Sequence, residues 1–189
     1  MKIKNLKPNS EGKHLQGYFN PINRKKYNGE YPIIYRSLWE YQFMKVCDTS
    51  NKIITWANEK HEIPYYYSLD EKKIIRIYNV DFAISYVNKN NIMRKALIEI
   101  KPHNQIFPDK ILKMLHISYE ENYKVNDVIK FLYGYVQNNS LTPSKKEKTL
   151  NQLKVIIKNN DKKKAAEQYA EKHGMVYVVL TEKNIKMFQ

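Results

Sequence analysis

From Lys73 to Val87 the chain is an almost unbroken run of β-branched and aromatic residues. A run of this kind predicts one long strand. Asn88-Lys89-Asn90-Asn91 follows, a cluster that favours a turn. Lys95 to Lys101 then predicts the returning strand, stopped by Pro102. A hairpin of this length puts a sheet at the centre of the fold, and the remaining elements must bury their apolar faces against it.

Those elements are readable on either side. Ser37 is a good helix N-cap, and Glu40 three residues later makes a capping box with it. Leu38, Trp39, Tyr41, Phe43, Met44, Val46 and Cys47 predict a broadly buried helix. Ile53–Ala57 reads as a short strand and 63–67 as a second extended stretch. A later helix is predicted over 161–173, with Asp161 as its cap, Gly174 just past its end and a narrow stripe at Ala165, Ala166, Tyr169 and Ala170. Residues 175–180 show no alternation, which predicts a strand buried on both faces. The order helix, about four strands, helix, strand is that of an α/β domain. Residues 1–30 form a basic arm broken by proline and glycine, read as a strap lying on the body. Residues 31–189 form one domain. It carries a lysine-rich helical insertion at about 106–158, with weak helical patterns near 125–136 and 145–157.

Composition narrows the function. Thirty-three Lys and Arg against nineteen Asp and Glu leave a net charge of +14 over 189 residues. Such a field attracts polyanions, nucleic acid first. An AT-rich genome, which writes Lys and Asn everywhere, produces the same excess, so charge suggests that partner without establishing it. Five glycines, without the spacing of a phosphate loop or a dinucleotide fingerprint, argue against nucleotide-dependent classes. A lone Cys47 excludes an internal disulfide framework and a cysteine zinc site. The five histidines show no metal-ligand spacing. No apolar stretch approaches a membrane span, and the first residues lack the apolar core of a secretion signal, so no membrane association or secretion is expected.

The chemistry is concentrated on the hairpin. Asp81 interrupts an apolar strand, and Glu99 and Lys101 bracket Ile100 on its partner. Residues two apart on a strand share a face, roughly 7 Å from each other, and paired strands lie about 5 Å apart. Two carboxylates and an ammonium then meet where the neighbours are apolar, an arrangement that is costly unless compensated. A divalent cation compensates it. Mg²⁺ takes one or two carboxylates together with water and phosphate oxygens, which suits phosphodiester hydrolysis. Taken separately, Glu99 and Lys101 also fit an edge-strand salt bridge, and Glu40 fits a capping acid. Lys162 and Lys163 sit at the predicted start of a helix, where positive charge opposes the helix dipole and a phosphate backbone would relieve it.

An acid ending one strand, Asp81, followed by Glu99-Ile100-Lys101 on the next resembles the PD-(D/E)xK nuclease superfamily, with Val80 in place of the usual proline. The flanking blocks are Tyr27-Asn28-Gly29, Tyr35 to Glu40, Cys47-Asp48, Trp56 to Tyr65, Ile98 to Pro102 with Gln105, and Ala165 to Glu182. In that order they resemble the head completion nucleases of tailed, T-even-like phages. The resemblance implies a restriction-endonuclease-like core and a Mg²⁺-dependent DNA endonuclease, with Mn²⁺ as a substitute ion. It implies that Asp81 and Glu99, completed by Glu40, ligate the metal. Lys101 would act on the water or the phosphate, and Gln105 would contact DNA or that water. Lys13, Arg24, Lys25, Lys26, Arg36, Lys162 and Lys163 are the DNA-binding candidates. Implied partners are DNA and the phage portal or neck. The implied location is the host cytoplasm during assembly, with retention in the virion. A structural head-completion protein with an inactive nuclease fold, and a transposon-end or junction nuclease, remain open alternatives, as does the oligomeric state.

Overall fold

The computed structural model describes residues 16–106, 125–137 and 140–185. Lys13, the first half of the arm, and 107–124 and 138–139 of the expected insertion lie outside them. The described chain contains β1 (Gly17–Tyr18), β2 (Ile34–Tyr35), α1 (Leu38–Thr49), β3 (Ile53–Asn58), β4 (Glu62–Tyr66), β5 (Ile75–Asn79), β6 (Phe82–Val87), β7 (Met93–Ile100), α2 (His103–Ile106), α3 (Val125–Gln137), α4 (Pro143–Lys172) and β8 (Val176–Leu180). It divides into two compact units, one formed by 1–63, 79–100 and 166–189, the other by 64–78 and 101–165.

The first unit is built on a mixed sheet in the order β3-β6-β7-β8. β6 runs antiparallel to both β3 and β7, and β8 lies parallel to β7. The β6–β7 hairpin turns through Asn88, whose side-chain oxygen accepts the Asn90 and Ile92 amide protons at 3.0 Å each. The cap of α1 forms as its sequence requires, with the Ser37 hydroxyl oxygen accepting the Glu40 amide proton at 3.1 Å. Phe43, Met44 and Cys47 of α1 are fully buried in one cluster with Trp56, Phe82, Ile84 and Ile98 of the sheet. Removing each large side chain of this kind from water contributes about 1.5–3 kcal/mol. Burial also pushes the Cys47 thiol well above its ordinary range, so it remains a packing residue.

The described part of the arm is fastened to this unit. Phe19 and Tyr27 meet Trp56 edge-on, with ring centroids 5.7 Å and 4.7 Å away. The buried Asp48 carboxylate accepts the Ile22 and Asn23 amide protons at 2.7 Å and 2.9 Å. These contacts satisfy a charge that would otherwise be costly to bury.

Three expectations need correction. The predicted strand 73–87 is two strands: β5 pairs with β4 in a separate ribbon, and the chain leaves the extended run at Val80–Asp81 before β6 begins. Local propensity contains no break there. Tertiary hydrogen bonds impose it, since the Val80 amide donates to the His61 carbonyl at 3.2 Å and the Asp81 carbonyl accepts the Glu59 amide proton at 3.0 Å. Asp161 does not cap a helix. It lies inside α4, which begins at Pro143, so the pattern near 145–157 and the helix expected over 161–173 are one element. Finally, β8 ends the sheet order next to β7, and only Leu180 of its five residues is fully buried. The end of α4 is as expected: Gly174, with φ at +65°, lets Met175 donate to the Ala170 carbonyl at 2.8 Å.

In the second unit α3 and α4 share a small core of Val128, Leu132, Leu153, Ile156 and Ile157. The Asp161 carboxylate accepts the Ser68 amide proton at 2.8 Å and the Ser68 hydroxyl proton at 2.7 Å, holding the turn after β4. Among the described residues no helix is long and apolar enough to cross a membrane.

Candidate active site

The register of β6 and β7 decides which acids meet. Phe82 is paired with Ile98. Asp81 lies one residue before this pair, outside β6, and Glu99 one residue after Ile98 on β7. The Asp81 carboxylate is bound to this end of β7, where Oδ2 accepts the Ile100 amide proton at 2.7 Å. Asp81 is half-buried, and Glu99 is 3% exposed between the buried Ile98 and Ile100. On its other flank Glu99 stands beside Val179 of β8. One carboxylate comes from the residue preceding β6 and the other from near the end of β7.

The remaining sequence candidates are placed differently. Glu40 is occupied by the helix that carries it: Oε2 accepts the Arg36 amide proton at 2.8 Å, and Oε1 accepts from the Ser37 hydroxyl at 3.0 Å. Among the described residues no three Asp, Glu, His or Cys side chains gather closely enough to hold an ion. β7 ends at Ile100, so strand alternation does not reach Lys101, which belongs to the second unit. Gln105 is exposed in α2, and its carbonyl accepts from the Asn159 amide at 3.3 Å.

The basic candidates also have structural work. Lys26 donates to the Asp48 and Ser50 carbonyls at 3.1 Å and 2.7 Å, closing the strap over the end of α1. Lys162 lies over the Tyr78 ring at 4.8 Å from its centroid, within the second unit. Arg24, Lys25 and Lys163 are exposed. Arg36 forms a two-pronged ion pair with Glu59. Glu59 braces this end of the sheet. Its backbone adopts φ of +47° in the turn between β3 and β4, its amide holds the Asp81 carbonyl, and its carboxylate holds the residue that precedes the α1 cap. The signal available was Asn58-Glu59-Lys60, a polar cluster between two extended segments.

A helix, three strands, a helix and a parallel fourth strand, with acids at the joined ends of the second and third strands of the sheet, define the restriction-endonuclease-like class of nuclease folds. The family model described as TnsA-like endonuclease N terminal matches residues 50–182, and the chain belongs to that family. It is also 30% identical over 171 residues to the head completion nuclease of Enterobacteria phage T4, an overlap of 90% of this chain and 93% of that protein. No solved structure matches the chain.

Proposed function

We propose that the chain is a Mg²⁺-dependent DNA endonuclease acting in phage head completion after DNA packaging. The observation that supports this reading is the bond from the Ile100 amide to the Asp81 carboxylate, which ties Asp81 to the end of β7 that carries Glu99. The donor set suits the ion: two carboxylates, one half-buried and one buried, are hard oxygen donors of the type and number that Mg²⁺ accepts alongside water and phosphate oxygens. Asp81 and Glu99 would hold Mg²⁺, or Mn²⁺ in its place, and the bound ion would supply positive charge against the phosphodiester.

The protein's own groups do the rest. Asp81 is oriented through the Ile100 amide, so its carboxylate keeps one direction. Glu99 is paired with Val179 of β8. Lys101 orients the attacking water or donates to a phosphate oxygen, in line with its place two residues after Glu99 in the motif. Gln105 contacts DNA or that water. Glu40 serves the α1 cap, and a ligand role for it rests on resemblance alone. The basic residues left exposed, Arg24, Lys25 and Lys163, are proposed to meet the DNA backbone. The head-completion role rests on the likeness to the phage T4 protein. With that role come the portal or neck as partner, assembly in the host cytoplasm, and retention in the virion.

Supercoiled plasmid incubated with the protein tests the chemistry. Nicked and linear products are expected with Mg²⁺ and none with EDTA. The Asp81→Asn, Glu99→Gln double variant should lose at least about a thousandfold in rate, ~4 kcal/mol of barrier. Full cleavage by that variant would defeat the site assignment.

A further inference from the structure

The sheet of the first unit has a second face. The registers of β3, β6 and β7 align Thr55, Ser85 and Lys95 in one row and Ala57, Ala83 and Leu97 in the next. Side chains alternate along a strand. Trp56, Ile84 and Ala96, the intervening residues, belong to the core shared with α1. The two rows therefore look away from α1. Leu97 and Ala57 are covered, at 0% and 2% exposed, whereas Thr55, Ala83 and Ser85 are half-buried and Lys95 is exposed, and an open cavity of about 310 Å³ lies over this part of the face.

The walls of this cavity are basic. Lys60 and His61 come from the turn between β3 and β4, Lys95 from β7 and His173 from the end of α4, and among the described residues no acid lines it. The groups are held in place. Lys60 donates to the Asn28 carbonyl at 3.1 Å. His61 Nδ1 lies 3.1 Å from the Tyr169 hydroxyl. The His173 ring stacks on Tyr169 with centroids 4.1 Å apart, and its Nδ1 lies 2.7 Å from the Tyr169 carbonyl oxygen. Burial, then the charges of Lys60 and His173, push the His61 pKa down. Among the described residues, no acid in the lining offsets Lys60 and Lys95.

Two more features identify what fits. Trp56 is 1% exposed, so it offers no platform for a stacked base. Lysines, imidazoles and hydroxyls around a shallow shelf suit a chain of phosphates read without regard to sequence. The shelf is also coupled to the acids. The turn carrying Lys60 and His61 is pinned on both sides to Val80–Asp81 by the Glu59 amide and the His61 carbonyl.

We propose that this shelf seats the sugar–phosphate backbone of the DNA strand being cut, with Lys60 and Lys95 as the charged contacts and His61 and His173 as hydrogen-bond donors. The inference rests on the nuclease reading above and extends it to a backbone-binding surface on the face of the sheet opposite α1.

The test is fluorescence anisotropy of a short labelled duplex of mixed sequence, measured in EDTA across a salt series. The Lys60→Gln, Lys95→Gln pair is compared with Lys52→Gln, Lys89→Gln. The second pair removes the same charge from beside the cavity on the α1 face. The shelf pair should bind about tenfold more weakly at low salt, and its slope of log K against log salt should fall by about 2. The control pair should keep the wild-type slope, and thermal melts should show both pairs folded. Equal losses in the two pairs, or none in the shelf pair, would overturn the proposal. Plasmid cleavage in Mg²⁺ is run in parallel. Wild-type protein that binds but does not cut contradicts the nuclease reading, whereas cutting with an unaffected shelf pair contradicts the shelf alone.

Discussion

Asp81 Oδ2 accepts the Ile100 amide proton at 2.7 Å, which ties the acid preceding β6 to the last residue of β7, the neighbour of Glu99. The same carboxylate is thus structural and proposed to be catalytic, and two substitutions separate the roles. Asp81→Ala leaves the Ile100 amide without this acceptor and should cost about 1–3 kcal/mol of stability. Asp81→Asn keeps an acceptor and should cost less than about 1 kcal/mol. Both should abolish Mg²⁺-dependent cleavage. Urea unfolding and plasmid assays check this, and equal stabilities for the two variants would contradict the role of the amide bond.

The cap of α1 makes a similar separation for Glu40. Ser37→Ala removes the hydroxyl that accepts the Glu40 amide proton and should cost about 1 kcal/mol, with cleavage per folded molecule unchanged. Glu40→Gln keeps an oxygen for the Arg36 amide, so cleavage should persist. A loss matching that of Asp81→Asn would instead make Glu40 a third ligand.

Asp161→Ala should loosen the second unit. It removes both acceptors of Ser68, and bonds to a charged group contribute about 1.5–3 kcal/mol each in favourable settings. Hydrogen exchange should show faster amides in the turn after β4 and in α4, while the β6–β7 amides keep their protection.

Tyr27 sets an alkaline limit on the strap. Burial, then the charges of Tyr31 and Glu30, push its phenol from 10.0 up to about 12. Its hydroxyl lies 2.6 Å from Asn58 Oδ1 and 2.9 Å from the Glu30 carbonyl oxygen, both acceptors of its proton. The folded state binds that proton more tightly than the unfolded chain. The stabilisation is therefore complete below pH 10 and fades as pH rises towards 12. Denaturant midpoints of wild type and Tyr27→Phe should differ by a constant amount below pH 10 and converge above it.

Local signals were legible wherever local chemistry decides. Ser37 with Glu40, the Asn88–Asn91 turn and Gly174 each satisfy or terminate backbone within a few residues, and each stands where its sequence puts it. The β6–β7 hairpin was legible because a short turn fixes its own register. The break at Val80–Asp81 was not, since the bonds that impose it run to His61, Glu59 and Ile100. Asp161 misled for the same reason. It is a good capping residue, but it serves Ser68, 93 positions away. The brace from Glu59 to Arg36 spans 23 positions and has no periodicity to betray it.

The central claim is that Asp81 and Glu99 share one divalent ion. Anomalous diffraction from crystals soaked in Mn²⁺ tests it most directly. A single strong peak within about 2.0–2.4 Å of an oxygen from each carboxylate is expected, absent in the Asp81→Asn, Glu99→Gln variant. A peak elsewhere in the molecule, or none between these two side chains at saturating Mn²⁺, would contradict the account.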